Sequence, residues 1–116
     1  MINIVISSRY KIERNRLKKI VADMLAQKGF GPQYNLNIIF IGKNKMRKIA
    51  DQYKKENLAL PVLTFSYLDE KNNPENLLGE IFICYPQAVL LAAERDKRVD
   101  EMIINLIDHG IKNLLK

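Results

Sequence analysis

The chain holds one histidine, His109, and one cysteine, Cys84, so any chemistry that needs an imidazole or a thiol passes through a single position. His109 lies in an apolar segment with Asn105 four residues before it and Asn113 four residues after it. On a helix these three side chains share one stripe. The i, i+4 spacing is the one with which a helix offers two ligands to one metal ion. Here the second member is an amide, a weak donor toward Zn²⁺, which prefers imidazole and thiolate. By spacing alone, His109 reads as an ordinary helix histidine. Gly110, next in the chain, costs a helix interior roughly 1 kcal/mol against alanine. It predicts close approach of another backbone, or of a ligand, at that turn. The five glycines form no G-x-G-x-x-G cluster and no Walker loop, so a phosphate-cradling loop is not indicated. Nothing in the spacing brings a serine and an aspartate to the histidine for a nucleophilic triad.

The second chemical resource is charge. Residues 1–56 carry +9 and residues 57–116 carry −3, within a total of +6. A basic half beside a mildly acidic one gives a dipolar surface that can face a polyanion such as RNA. Arg14, Lys18, Lys45, Lys48 and Lys54 are the residues we expect to contact RNA. Such contacts imply binding that weakens with salt.

These residues need a scaffold. A chain of 116 residues suits one domain spanning 1–116, which on folding should bury roughly two-thirds of the surface its unfolded chain exposes. A single cysteine allows no internal disulfide, which suits a reduced compartment. No apolar run approaches the ~20 residues of a membrane span, and residues 1–8 lack the pattern of a secretory signal. A cytoplasmic location is expected.

The β-branched run within Asn3 to Ser7 predicts a first strand, and Leu36 to Ile41 a second. Between them Ile12, Leu17, Ile20, Val21, Met24 and Leu25 recur at helical spacing over about 11–28, stopped by Gly29, Gly31 and Pro32. Met46, Ile49, Ala50 and Tyr53 mark a second amphipathic helix. Leu60 to Phe65 predicts a third strand, with Pro61 at its start or on an edge. The polar segment Asp69 to Glu75 is a turn candidate, and Gly79 is expected to open a fourth strand over Glu80 to Cys84, pairing as a hairpin with the third. Pro86 is placed as the first residue of a third helix, whose all-round apolar character predicts burial. A last helix from about Val99 directs Met102, Ile103, Leu106, Ile107, Leu114 and Leu115 inward. The fold class is α+β: a small mixed sheet of about four strands packed with helices, in the order βαβαββαα.

Three stretches, in order and at matching spacing, resemble the YbeY family of rRNA-maturation endoribonucleases. Ile49-Ala50-Asp51-Gln52-Tyr53-Lys54 leading to Val62-Leu63-Thr64-Phe65 is similar to its "LNxxYR" followed by "DVLSF". Leu78-Gly79-Glu80-Ile81-Phe82-Ile83-Cys84 is close to "LGDIVIC". His109-Gly110-Ile111-Lys112-Asn113-Leu114-Leu115 looks like the front of "HGxLHLxGYDH". The resemblance covers roughly residues 34–116. It implies a YbeY-like fold, rRNA processing and ribosome quality control, RNA and the ribosome as partners, and metal-dependent RNA cleavage at a zinc held by three histidines.

Carried over, the first metal ligand is His109, the second position falls on Asn113, and the third would lie beyond Lys116. The arginine that the resemblance assigns to RNA contact or catalysis falls on Lys54, the motif serine on Thr64, and the Thr-Asp pair ahead of the strand on Leu60-Pro61. Lys54 and His109 are therefore the catalytic candidates. Lysine keeps the charge of arginine but lacks the bidentate fork that grips phosphate. One imidazole and one amide do not reproduce a three-imidazole centre, even with a carboxylate such as Asp108 or with water completing it, so zinc binding is expected to be weak or absent. Two functions follow from the resemblance: an endoribonuclease with an incomplete metal site, or a non-catalytic RNA- or ribosome-binding domain that kept the fold. A truncated C-terminus would explain the third ligand but not Asn113. Both functions place His109 facing a cleft between sheet and helices.

Overall fold

Short β-branched segments alternating with amphipathic ones produce eight elements in the predicted order. A computed structural model describes residues 1–68 and 76–115. They are β1 (Ile2–Val5), α1 (Arg14–Gln27), β2 (Asn35–Ile41), α2 (Lys43–Lys54), β3 (Val62–Ser66), β4 (Leu77–Cys84), α3 (Tyr85–Glu94) and α4 (Val99–Leu114). The predicted turn at Asp69 to Glu75 lies outside the described residues. Among the described residues no helix is long and apolar enough to cross a membrane.

The sheet runs β1-β2-β4-β3, parallel across β1, β2 and β4, with β3 antiparallel to β4. The expected pairing of the third and fourth strands is therefore present, as part of a mixed sheet. Period-2 alternation divides each strand between two layers. On one face Ile2, Ile4, Leu36, Ile38, Phe40, Ile81 and Ile83 meet the stripe Leu17, Val21 and Leu25 of α1 and the inner side of α4. On the other, Ile41, Leu63 and Cys84 pack with Met46 of α2, joined by Ile39, Phe65 and Phe82. The larger core lies under α1 and α4. Pro61 directly precedes edge strand β3, as its missing donor requires.

Helix ends follow from backbone chemistry. Gly29, at φ +89, lets the Phe30 and Gly29 N–H groups reach the carbonyls of Leu25 and Ala26, which terminates α1. Asp96, at φ +53, does the same for α3 through Lys97 N–H to Ala92 O at 2.8 Å.

Three expectations are corrected. α3 is not buried all round: its small residues Ala88 and Ala92 face the core, while Val89 and Leu90 are exposed, the latter by 47%. Its start is also one residue earlier than expected, at Tyr85, with Pro86 second. Gly79 does not open β4 but lies within it. A β-carbon there would overlap the Phe65 carbonyl oxygen and the Leu114 Cδ2. Just before it, the β2–β4 register shifts, so that Asn35 faces Leu77 while Leu36 faces Gly79, which places Leu78 as the extra residue of a bulge.

This packing can be tested at two positions. Gly79→Ala must displace backbone, not merely a flexible side chain, and should destabilise the protein by about 2–4 kcal/mol in urea unfolding; an unchanged midpoint would contradict the close approach. Burial raises the Cys84 thiol above its ordinary value, a rise that the Gln87 N–H, Lys43 and Arg47 only partly offset. The folded state then holds its proton where the unfolded chain releases it, so this group's contribution to stability declines as pH rises above about 8.5. At neutral pH a thiol reagent should label Cys84 only as fast as the protein opens. Immediate labelling of the native protein would show the thiol to be accessible.

Candidate functional site

The edge strand β3 organises the candidate site, because its alternating side chains reach both layers. Thr64 and Ser66 point toward α4; Leu63 and Phe65 point toward α2. On the α4 side the Ser66 hydroxyl donates to the Leu114 carbonyl at 3.3 Å. Gly110 lies against β3 and β4 so closely that a β-carbon there would sit 3.1 Å from Ile81 Cγ2 and 3.2 Å from Thr64 Cγ2. The close approach predicted from this glycine is therefore made by side chains of the sheet. On the α2 side the Tyr53 ring meets Phe65 edge-on, with centroids 5.0 Å apart, and Phe65 meets Phe82 in the same manner at 5.7 Å. These contacts tie the last turn of α2, which carries Lys54, to the strand that Gly110 touches from the other face. Tyr53 and Gly110, the chain neighbours of Lys54 and His109, thus pack against opposite faces of one edge strand.

Among the described residues, His109 stands on the exposed side of α4 and not between sheet and helices. With Ile107, Gly110 and Ile111 taking the inward positions of α4, the helical period turns His109, Lys112 and Asn113 outward, and all three are exposed. His109 lines neither the cavity of about 490 Å³ between α1 and the start of α4 nor the cavity of about 570 Å³ between α1 and the Phe30–Tyr34 turn. Asp108, the candidate auxiliary ligand, forms an ion pair with Lys112 at 3.1 Å. That ammonium adds positive charge to the turn joining His109 and Asn113. Among the described residues no three of the types His, Cys, Asp and Glu gather in a way that could hold a metal ion. One imidazole and one amide beside a lysine do not fit the three-imidazole zinc centre that the resemblance implies.

The five expected RNA contacts divide into two groups. Lys45, Lys48 and Lys54 are exposed on α2 together with Lys43 and Arg47, while Met46 and Ala50 anchor the helix to the sheet. Arg14 and Lys18 belong to α1, on the opposite face of the sheet, where Arg14 donates to the Ile6 carbonyl at 3.2 Å. Charge along the sequence groups these five together; the fold does not.

Two polar constellations had no role in the sequence-based expectations. On the α2 face of the sheet, Glu80 accepts from Tyr67 OH at 2.8 Å and from Asn37 Nδ2 at 3.5 Å, and Asn3 Nδ2 donates to Asn37 Oδ1 at 3.0 Å. The register Asn3–Asn37–Glu80 across three neighbouring strands makes this row. Its signal was the one acidic residue inside the apolar run LGEIFIC. The second constellation is an ion-pair cluster of Arg16, Arg98 and Asp100 joining α1 to α4. It links residues 84 apart, which no local spacing reveals.

A model of the family "Endoribonuclease YbeY" matches residues 3–115, extending the likeness into the first strand and helix. Among curated relatives, the endoribonuclease YbeY of Dehalococcoides mccartyi strain CBDB1 is 30% identical over 98% of this chain and 78% of its own length. The protein of the same name from Desulforamulus reducens is 30% identical over 90% and 73%. The fold is similar to the solution structure of TM1509 from Thermotoga maritima, with a TM-score of 0.70 at 22% identity, covering 100% of this chain and 73% of that one. With its sheet order, its edge strand and the matched span together, the chain belongs to the YbeY endoribonuclease family.

Proposed function

We propose that this chain acts in rRNA maturation by holding single-stranded RNA near an rRNA end, on a track that follows α2 to the β3 edge. One observation carries the reading. The solvent side of α2 carries the exposed cations Lys43, Lys45, Arg47, Lys48 and Lys54 against the single acidic residue Asp51, and Lys54 follows Tyr53, whose ring packs on Phe65 of the edge strand β3. Phosphates along such a series release counterions on binding, so attraction needs no base-specific contact. Lys54 contributes a point charge and three donors. It holds a phosphate without fixing its orientation as a guanidinium fork would. The ribosome is the proposed setting in which that RNA end is met.

A second reading, metal-dependent cleavage by this same region, is favoured by the chain position of His109, directly before the Gly110 that packs on Thr64 of β3, the strand whose Phe65 meets Tyr53, the neighbour of Lys54. The zinc chemistry of the family needs ligands beyond His109 and Asn113. Where RNA is held and where it would be cut are then the same edge, and the two readings separate on chemistry alone.

Fluorescence anisotropy with a single-stranded RNA should give affinity that falls linearly with salt on logarithmic axes. Replacing Lys45, Lys48 and Lys54 together by glutamate should lower that slope by about 2, at roughly 0.7 for each phosphate that is no longer neutralised. Salt-independent binding, or none, would defeat the proposal. A cleavage assay on the same RNA is expected to show binding without chelator-sensitive cutting. Cutting that chelator abolishes would establish the second reading in its place. Asn113→His restores an i, i+4 imidazole pair, so titration calorimetry should show tighter zinc binding than the unmodified chain. No gain would indicate that Lys112 and the outward geometry preclude even a partial site.

A further inference from the structure

The cavity between the start of α1 and the start of α4 is far from β3 and has a different character from the α2 surface. Its walls are aliphatic: Ile12, Leu17 and Ile20 from the α1 side, Ile103 and Ile104 from α4. Its rim is cationic, with Lys11, Arg16 and Arg98 against Glu13 and Asp100. At about 490 Å³ it falls within the range of sites that take a small organic ligand.

The rim is organised. Asp100 stands between the two arginines, its carboxylate 3.4 Å from Arg16 Nη1 and 3.4 Å from Arg98 Nε. Glu101 N–H donates to it at 2.9 Å, which fixes it at the first turn of α4. Desolvation, the largest single influence, pushes the Asp100 carboxyl up, but the Glu101 N–H and the two arginines together outweigh it and hold the group below its usual range. Arg98 remains 83% exposed and Arg16 58%. Exposed pairs of this kind contribute little and exchange partners readily. The guanidiniums are therefore gathered at the mouth yet free to turn to a stronger anion. Tyr85 closes the inner wall. Its ring stacks on Tyr10 with centroids 4.5 Å apart, and its hydroxyl donates to the Lys11 carbonyl at 3.1 Å, which ties down the chain carrying Lys11.

A ligand suited to this site has a flat, largely apolar body and an anionic group beside it. A nucleotide released from stacking has that build, and protein sites read such nucleotides with apolar walls and arginine planes. We propose that this cavity takes one unstacked nucleotide of a single-stranded RNA, with its base among the isoleucines and its phosphate on Arg16 and Arg98. The inference rests on the RNA-binding reading above and deepens it by adding a second point of attachment on the other face of the sheet. The basic segment Arg9 to Arg16 and the turn Arg95 to Arg98 both lead to this mouth, so the backbone on either side of the captured nucleotide meets further positive charge.

The test uses short single-stranded RNAs carrying 2-aminopurine at successive positions, read by emission and by anisotropy. Capture should raise emission, because the base leaves its stack. Ile20→Trp fills the cavity and should abolish that rise and weaken binding roughly tenfold, within the range for removing the stacking of one base. Arg98→Glu, on an exposed side chain that leaves the fold intact, should weaken binding several-fold and reduce the salt slope by about one. Lys45→Glu on α2 should weaken binding while the emission rise survives. Circular dichroism checks that Ile20→Trp is folded, and Arg98→Glu decides the matter if it is not. Binding that Lys45→Glu weakens, but that shows no emission rise and ignores both cavity variants, would overturn this inference and leave the proposed function standing. No RNA binding by the unmodified chain would overturn both.

Discussion

The seating of α4 on the β3–β4 pair is the contact on which the rest of the molecule depends, and two glycines set its distance. Gly79 leaves room for the Phe65 carbonyl and for Leu114 at one end of the interface; Gly110 leaves room for Ile81 and Thr64 one turn earlier along the helix. Between and beyond them Met102, Ile103, Ile107 and Ile111 are fully or almost fully buried. Each such aliphatic side chain contributes about 1.5–3 kcal/mol by leaving water. Once Gly110 is the inward residue, the 3.6-residue period allows no choice about its neighbours. His109 must leave the core, and Asn113 must follow it one turn later. The exposed imidazole is thus a consequence of packing, in the same sense that the buried isoleucines are.

Sheet order turns that packing into a usable edge. β4 lies between a parallel neighbour and an antiparallel one, so both of its sides are paired within the sheet. Among the described residues β3 is left with one unpaired side. Edge strands invite unwanted pairing, and natural proteins shorten them or interrupt them with proline. β3 is five residues long and is preceded by Pro61. On its two faces the same five residues hold the end of α2 and the last turns of α4. The polar row Asn3–Asn37–Glu80 occupies the part of the α2 face where the apolar cluster ends. There Glu80 keeps its half-buried carboxylate by accepting from a tyrosine and an amide, the arrangement that makes burial of such a group tolerable.

What the sequence disclosed, and what it hid, follows from the range of each interaction. The order of elements and the stripes of α1, α2 and α4 were legible because periodicity is local: Leu17, Val21 and Leu25 identify a buried face without reference to any partner. The stop at Gly29 was legible for the same reason. The direction of α3 was not. Its apolar character is nearly uniform, so only the partner decides that Ala88 and Ala92 turn inward and Leu90 outward. Gly79 was misplaced because a glycine in a β-branched run signals either a boundary or a close crossing, and the crossing strand and helix arrive from elsewhere in the chain. At the site, the motif residues placed Lys54 and His109 correctly on their elements. The expected cleft failed because a one-dimensional stripe of Asn105, His109 and Asn113 carries no sign to say which way it faces. The Arg16–Asp100–Arg98 cluster had no one-dimensional signal at all.

The separation of charge along the chain acquires a different meaning once folded. A charge of +9 in the first 56 residues suggests one basic face, yet α1 and α2 lie on opposite sides of the sheet. A sheet and one packed layer differ by about 10 Å, and at physiological salt the screening length is about 8 Å. Two groups of exposed cations on the outer sides of α1 and α2 are farther apart than one such layer. Their fields do not merge, and each attracts phosphate on its own. A folded polyanion would meet one group at a time. A flexible single strand is different, since once bound along α2 it presents its remaining nucleotides to α1 at a high effective concentration. If both proposed sites bind, a body only 37 × 32 × 26 Å in extent lets one strand reach around an edge to both. On the proposed function, that geometry would favour single-stranded over duplex RNA by reach and flexibility.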